Sequence, residues 1–280
     1  MPEKTTNGVA LATKRVPLED KNKTRPAFEH GDKWHYTNTP SPEWQIGSGA
    51  SDDAWKSYTR VSFDPAERAP PDNYRLMISA VVPRPIGFVS TASADDELNL
   101  APFSYTTMVN HDPPVFCIGF ALGRIPVKDT LSNILATKEL TLNIISEWFV
   151  EAANYCSTNA PPDISEWALS GLTQAKSTKV KPPYVAESAF AAECVLLNHQ
   201  EFRSPTTGKV TGVLCVVQGV EFHVFEEGWN AEKTAIDPAF LRPVSRLGGV
   251  TYGRSTVGYE MTRPEWADVH DLPEIQAALE

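Results

Sequence analysis

Two cations of the sequence stand where the backbone would direct them at an anion. Arg84 lies between Pro83 and Pro85, and the two prolines restrict the backbone on both sides of it. Lys128 stands at the predicted start of a helix, two residues before Thr130, where unpaired backbone N–H groups favour anions. Arginine commonly pairs with phosphate or carboxylate. Both cations are therefore candidates for neutralising a phosphate, although an ordinary turn and an ordinary helix start remain the alternatives.

Short polar residues surround the end of the predicted strand 86–91 and the start of the next strand. Three hydroxyl groups lie within four residues there: Ser90, Thr91 and Ser93. The next strand, predicted over 98–109, opens with the Asn99 amide and carries the aromatic rings of Phe103 and Tyr105. This mixture suits a phosphorylated, partly aromatic ligand bound at strand ends, and packing in the core is the alternative for the two rings.

The sequence lacks the short motifs of several large enzyme classes. The glycines Gly47 and Gly49 are followed by Asp52 where a dinucleotide-binding loop needs a third glycine. The pair Gly208-Lys209 lacks the upstream glycine of a P-loop. Neither HExxH nor GxSxG occurs. A dinucleotide-binding Rossmann domain, a P-loop enzyme, a zinc protease and an α/β-hydrolase therefore have no motif support.

Composition and charge exclude further classes of partner. The 280 residues carry 25 basic and 35 acidic side chains, a formal net charge of −10, so we expect neither nucleic acid nor an anionic membrane as a partner. No apolar stretch approaches the roughly 20 residues that cross a bilayer, and the first 24 residues hold no apolar signal region. The four cysteines lack zinc-site spacing, so we expect no metal, reduced thiols and a cytoplasmic location.

The order of predicted elements indicates a mainly β (α+β) fold. After the hairpin come a buried strand at 115–121, a helix at 130–137 with Asp129 as its N-cap, a strand at 140–145 and two long strand regions at 189–202 and 210–225. Strands and helices do not alternate as in a βαβ protein. We therefore expect a small antiparallel β-barrel with inserted helices.

Several sequence blocks resemble the flavin reductase-like domain family, the FMN-binding split β-barrels that include flavoredoxin. The blocks follow the order typical of that family: Val82–Thr91, Asn99–Tyr105, His111–Val115, Lys128–Ile134, Leu140–Ile144 and Ser245–Tyr252. The resemblance extends from about Tyr74 to Tyr252. It implies a split β-barrel, a homodimer and an FMN site at or near the subunit interface.

The resemblance also implies roles for individual residues. The hydroxyls of Ser90, Thr91 and Ser93 would meet the phosphate or the ribityl chain. The ribityl chain and the isoalloxazine would be lined by six residues of one block: Asn99, Ala101, Pro102, Phe103, Ser104 and Tyr105. Phosphate neutralisation would come from Arg84, Lys128 and Thr130, with Pro85 and Asn110 completing the cofactor-binding set. His111 is a weak catalytic candidate, and a role in the turn is its alternative.

Four segments organise the chain. They are a disordered tail (1–30), an extended arm (31–73), the flavin reductase-like split-barrel domain (74–255) and a C-terminal extension (256–280). The arm carries Trp34, Trp44 and Trp55 among prolines and glycines, so we expect irregular coil that packs on the barrel or on a partner subunit.

A bound flavin itself performs hydride and electron transfer, so the protein needs no acid–base pair of its own. We therefore expect an FMN-dependent oxidoreductase that is reduced by NADH or NADPH and acts on a small-molecule substrate or electron acceptor. The alternative is a non-catalytic FMN-binding or flavin carrier protein. The related pyridoxamine-phosphate oxidase type of split barrel has no residue-level support.

Overall fold

The computed structural model describes residues 23–30, 34–123, 128–161 and 164–279. The chain divides into two compact units, Met1–Lys33 and Trp34–Glu280. Of the first unit only residues 23–30 are described, so most of the predicted tail 1–30 lies outside the described residues. The barrel and the candidate site belong to the second unit.

Seven antiparallel strands form the main sheet. The strands of the described chain are β1 (His35–Tyr36), β2 (Gly87–Ala92), β3 (Leu98–Phe103), β4 (Thr106–His111), β5 (Pro114–Ala121), β6 (Glu139–Ile144), β7 (Gln174–Ala175), β8 (Tyr184–Val185), β9 (Phe190–Arg203), β10 (Val210–Val224), β11 (Val244–Arg246), β12 (Tyr252–Arg254) and β13 (Val257–Gly258). The main sheet has the order β3-β2-β6-β9-β10-β5-β4. Its two edge strands, β3 and β4, are consecutive in the chain, so the sheet must curl to bring its edges together.

The curl is visible where β3 ends. The predicted single strand 98–109 is wrong, because the chain bends between β3 and β4. At the bend the Gly119 amide donates to the Tyr105 carbonyl at 2.7 Å, and the Thr106 hydroxyl donates to the Phe103 carbonyl at 2.8 Å. The Phe103 ring also packs on Phe120, with centroids 4.7 Å apart. The local Thr106 bond and the two contacts with β5 turn the chain and leave β3 and β4 as the two sides of an opening in the barrel.

The described chain has seven α-helices, which lie before, between and after the strands of the main sheet. They are α1 (Pro70–Ala80), α2 (Asp129–Thr137), α3 (Val150–Tyr155), α4 (Glu166–Ser170), α5 (Pro238–Leu241), α6 (Trp266–Val269) and α7 (Pro273–Leu279). Within the described ranges, none of these helices has the length and apolar character needed to cross a bilayer. The fold is thus the expected antiparallel β-barrel with inserted helices.

Two hydrophobic cores hold the helices against the strands. Side chains alternate along β2, so the neighbours Phe88 and Val89 face opposite sides. Val89 belongs to the core that contains Ile118 and, from α2, Leu131. Phe88 belongs to the second core, which contains Trp167 from α4. Because both faces are covered, every residue of β2 is buried, and the strand is a rigid support for whatever binds beside it.

The segments outside the barrel pair with each other. Strand β1 runs parallel to β13, and the Trp34 ring packs so closely on Gly258 that a Cβ atom there would overlap it. Trp44 and Trp55 are 52% and 56% exposed in the single chain. Apart from β1, residues 34–69 are irregular backbone with two short 3-10 turns. The segment bounds 31–73, 74–255 and 256–280 stay predictions.

Candidate functional site

A polar cluster joins β2, β3 and α2. The Asn99 side-chain amide donates to the Thr130 hydroxyl at 2.7 Å and lies 3.4 Å from the Thr91 hydroxyl. The Asn133 amide donates to the same Thr91 hydroxyl at 3.1 Å. The structure thus unites three residues that the sequence singled out. Asn133, which the sequence reasoning missed, lies one helical turn beyond Thr130, and that spacing could have found it.

Lys128 lies at the N-terminus of α2. It occupies the N-cap position in extended conformation, so Asp129 is the first helical residue and not the predicted N-cap. The Lys128 ammonium lies 5.9 Å from the centre of the Phe103 ring. It therefore reaches along β3, on the face that also carries Asn99 and Ala101. A cation beside the first N–H groups of a nine-residue helix can attract an anion.

Carboxylates restrict where that anion could lie. Asn99 and Asn133 line a small crevice together with Glu97, Asp129 and Glu166. Burial raises the pKa of Glu166 above its usual value, and nearby Asp129 raises it further, against the lowering effect of backbone N–H groups. The carboxylates would repel a phosphate from this crevice. An anion at the start of α2 is therefore directed to the Lys128 side.

The three predicted hydroxyls do not converge. Ser90 faces the opposite side of β2 from Thr91 and is fully buried, with no hydrogen-bond partner for its hydroxyl among the described residues. Ser93 caps the β2–β3 turn, where its hydroxyl accepts from the Asp95 and Glu97 amides at 3.2 and 3.1 Å. Of the three, only Thr91 takes part in the cluster beside α2.

Arg84 is held by its own chain. Its guanidinium donates to the carbonyls of Ile78, Val81 (3.0 Å) and Leu247 (3.2 Å), and its Nε lies 3.4 Å from the Ser104 hydroxyl. It also precedes β2, whereas Thr91 lies near the other end of that strand. Four of the five Arg84 donors thus tie α1 and the segment after β11 to the β3–β4 turn, which disfavours the prediction that Arg84 and Lys128 meet one phosphate.

A largely apolar cavity of about 440 Å³ lies where Arg84 meets the β3–β4 turn. Its lining residues come from α1, the segment before β2 and the turn: Met77, Ile78, Val81, Pro83, Arg84, Pro85, Ser104, Tyr105, Thr106 and Thr107. Burial raises the pKa of the Tyr105 hydroxyl, Tyr74 raises it further, and Arg84 acts in the opposite direction. Tyr105 is therefore a neutral hydroxyl at physiological pH. The predicted residues Pro85, Ser104 and Tyr105 meet in this cavity.

The remaining predicted residues lie along β3 and at the end of β4. Ala101 and Phe103 face the first core, while Pro102 lies on the opposite face, paired with Phe88. Asn110 and His111 are exposed at the far end of β4. The Asn110 amide donates to the Pro113 carbonyl at 2.9 Å and so holds the turn into β5. Their role toward a cofactor stays a prediction.

A buried carboxylate escaped the sequence reasoning. Glu193 of β9 accepts from the backbone amides of Thr178 (2.7 Å), Lys179 and Val180 (2.9 Å), and it lies 2.7 Å from His223 Nε2. Burial alone would raise the pKa of Glu193, but these donors outweigh it and lower the pKa to about 2. The carboxylate anchors the loop before β8 to the sheet. Nothing in its strand-like sequence context could have revealed these partners.

Comparisons with known proteins agree with this geometry. The family model of the flavin reductase like domain matches residues 78–235, more than half of the chain, and spans β2 to β10. The chain belongs to the flavin reductase-like domain family. The matched region contains α2, β3 and the β3–β4 turn, the elements that build the candidate site. All residues before α1 and after α5 lie outside it.

Solved structures extend the family assignment. Nitrilotriacetate monooxygenase component B from Bacillus cereus is 31% identical, with a TM-score of 0.69, and the match covers 73% of this chain and 100% of that one. The Pseudomonas fluorescens 2-nitrobenzoate 2-nitroreductase NbaA is 27% identical, with a TM-score of 0.64, and 73% and 96% of the chains are covered. A putative flavin reductase with a split barrel domain from Shewanella frigidimarina, at 20% identity and a TM-score of 0.60 over 74% and 99% of the chains, shows the fold. The barrel of this flavin reductase-like protein is therefore a split barrel.

Proposed function

We propose that the protein is an FMN-binding oxidoreductase that NADH or NADPH reduces. One observation carries the proposal: the Asn99–Thr130 pair and Lys128 lie beside β3 where α2 begins, and a largely apolar cavity lies where β3 turns into β4. The strand spans roughly 17 Å from Asn99 to Ser104, at about 3.3 Å per residue. A ligand with a phosphate, a polar chain and a flat ring system in a row fits that gradient.

The described residues fit a flavin mononucleotide in particular. Lys128 and the N-terminus of α2 form one place for an anion, as a single phosphate requires. The face of β3 with the partly buried residues Asn99 and Ala101 leads from there toward the β3–β4 turn, whose cavity could accept a flat ring or its immediate neighbour. The fit favours FMN over FAD, because the carboxylates beside α2 leave little room for further anionic groups.

The protein's own residues would bind and orient the cofactor. Lys128 neutralises the phosphate, and the Asn99–Thr130 hydrogen bond fixes α2 against β3. Tyr105 and Ser104 supply neutral hydroxyls at the turn. When bound, the flavin supplies hydride and electron transfer, and the chain therefore needs no acid–base pair.

The named functions of two neighbours favour an oxidoreductase over a flavin carrier. A monooxygenase component and a nitroreductase, at 31% and 27% identity, cover 96% or more of their own length in the match. We extend redox activity to this chain on that basis. The carrier function remains the outcome to be tested against it.

We also propose that the working unit is a homodimer. Strand β4 is a sheet edge with unpaired backbone groups, and Met108 and Val109 on it are 67% and 52% exposed. A second copy is the partner that could cover this edge in every molecule. Light scattering at micromolar concentration should give twice the chain mass, and the chain mass alone would contradict the dimer.

The visible absorbance of the purified protein tests the proposed function. We expect FMN to bind, and its absorbance to bleach when NADH or NADPH is added without oxygen. Free FMN at the same concentration is the control. Bound FMN that stays oxidised with both donors would support the carrier function, and failure of FMN to bind would contradict both functions.

A further inference from the structure

The cavity between α1 and the β3–β4 turn has the properties of a separate small-molecule site. Its volume of about 440 Å³ falls within the range of roughly 300–1,000 Å³ that is typical of ligand pockets. Met77, Ile78 and Val81 form one wall from α1 and its end, and Pro83 and Pro85 form another. An apolar ligand that enters and covers these walls removes apolar surface from water.

The cation in the cavity already has hydrogen-bond partners within the protein. Arg84 is the one cation among the described lining residues, and carbonyls of Ile78, Val81 and Leu247 accept its hydrogen bonds. A carboxylate in the cavity would gain some attraction from the fixed guanidinium, but burial opposes an anion there more strongly, as the raised pKa of Tyr105 beside Arg84 indicates. The carboxylate would still lose its hydration, which costs far more than transferring a neutral group.

The polar groups that remain are neutral. The Thr106 hydroxyl donates to the Phe103 carbonyl at 2.8 Å, and the Thr107 hydroxyl donates to the Met108 carbonyl at 3.2 Å. Tyr105 keeps its proton, because burial raises its pKa. The cavity therefore offers few and uncharged hydrogen-bonding groups around an apolar space.

We propose that this cavity binds an uncharged, largely apolar substrate, such as a small aromatic compound, and discriminates against its carboxylated analogue. The proposal that the bound molecule is a substrate rests on the proposed function. That function places the apolar part of the cofactor at the same end of β3 as the cavity. Binding itself depends only on the cavity walls. It can therefore be measured on the flavin-free protein.

Fluorine NMR of the full chain tests the proposal with two matched probes. We expect 4-fluoronitrobenzene, which is neutral, to bind at least tenfold more tightly than 4-fluorobenzoate. Equal affinities, or tighter binding of the benzoate, would overturn the proposal. Release of the neutral probe as the protein concentration rises would assign the cavity to a second copy of the chain and would also overturn it.

Two tryptophan variants of α1 locate the bound probe. Met77→Trp should fill the cavity and weaken binding of the neutral probe at least tenfold. Leu76→Trp places the same ring on the neighbouring residue, which does not line the cavity, and should leave probe binding within twofold. An equal loss in both variants would indicate binding elsewhere and overturn the proposal. A circular dichroism spectrum and melting temperature of each variant exclude misfolding, and Val81→Trp provides a second filled cavity if Met77→Trp does not fold.

The FMN affinity of the same variants separates this proposal from the proposed function. If Met77→Trp weakens FMN as much as it weakens the probe, the cavity belongs to the cofactor, so the substrate site is overturned while FMN binding stands. If the wild-type protein binds the neutral probe but no FMN, the proposed function fails and the cavity assignment stands.

Discussion

The two cations at opposite ends of β3 differ in how many of their hydrogen-bond donors the protein itself occupies. At the α2 end, Lys128 reaches along the strand, and the Phe103 ring, 5.9 Å away, is the partner of its ammonium among the described residues. At the turn end, Arg84 is enclosed by carbonyls of α1 and of the segment after β11. By sequence, both cations were equally good candidates for binding a phosphate. The difference teaches that a cation binds a ligand only where the fold leaves its donors available.

Removing Arg84 should give the largest effect, because it tests whether this cation belongs to the fold. We expect Arg84→Met to lower the free energy of unfolding by about 3 kcal/mol or more, since hydrogen bonds to charged groups contribute about 1.5–3 kcal/mol each and the carbonyls would lose their partner. Urea unfolding measures the change. Arg75→Met on α1, the helix whose Ile78 carbonyl accepts from Arg84, is the control, because the pair of Arg75 with Asp72 is exposed and should contribute less than about 1 kcal/mol. A stable Arg84→Met protein with weakened FMN binding would reverse the two roles.

Glu193 is a second buried charge that backbone groups bind. The pH dependence of its contribution to stability extends the comparison between Arg84 and Lys128. Its folded pKa of about 2 lies below the ordinary value of 4.5, so its contribution to stability is complete above about pH 4.5 and is lost as pH falls toward 2. The difference between these two pKa values corresponds to about 3 kcal/mol in the free energy of unfolding. We expect Glu193→Gln to remove this part of the acid sensitivity, measured by urea unfolding between pH 6 and 3. Glu201→Gln, on the exposed end of the same strand, should keep the wild-type profile, and an unchanged profile in Glu193→Gln would show the anchor to be unimportant.

Lys128 should affect the ligand and not the fold. We expect Lys128→Ala to weaken FMN by about 10- to 100-fold, the equivalent of one charged hydrogen bond, and to leave riboflavin unaffected, because only FMN carries the phosphate. Fluorescence titration with both flavins measures the effect. Lys138→Ala, at the other end of α2, should change neither affinity. Equal losses for FMN and riboflavin would remove Lys128 from the phosphate site.

The neighbouring hydroxyls of β2 should give the smallest effect. Thr91 accepts from two asparagine amides, so Thr91→Val should cost about 1–2 kcal/mol in the free energy of unfolding. Ser90→Ala removes a buried hydroxyl that no described residue pairs with, and should change stability by less than about 0.5 kcal/mol. Thermal unfolding of the two variants compares them. If Ser90→Ala lost more stability than Thr91→Val, the stabilising polar contacts of β2 would lie on the Ser90 face and not on the Thr91 face.

Local patterns predicted most of the fold, because strand and helix periodicity depends on neighbouring residues. The predicted strands 115–121 and 140–145 and the two long strands agree with β5, β6, β9 and β10 within one residue at either end. The break between β3 and β4 was missed, because Gly119, 14 residues beyond Tyr105, provides the hydrogen bond that shapes it. The same limit applies to the site. Whether Arg84 has available donors depends on Leu247, 163 residues away, and no local pattern contains that information.

A structure of the FMN complex tests the central assignment most directly, because it shows which end of β3 receives the phosphate. We expect the phosphate within hydrogen-bonding distance of Lys128 Nζ and the N-terminus of α2, with the ring system toward Ser104 and the Arg84 contacts unchanged. A phosphate bound by Arg84, or a flavin that does not lie along β3, would contradict the assignment.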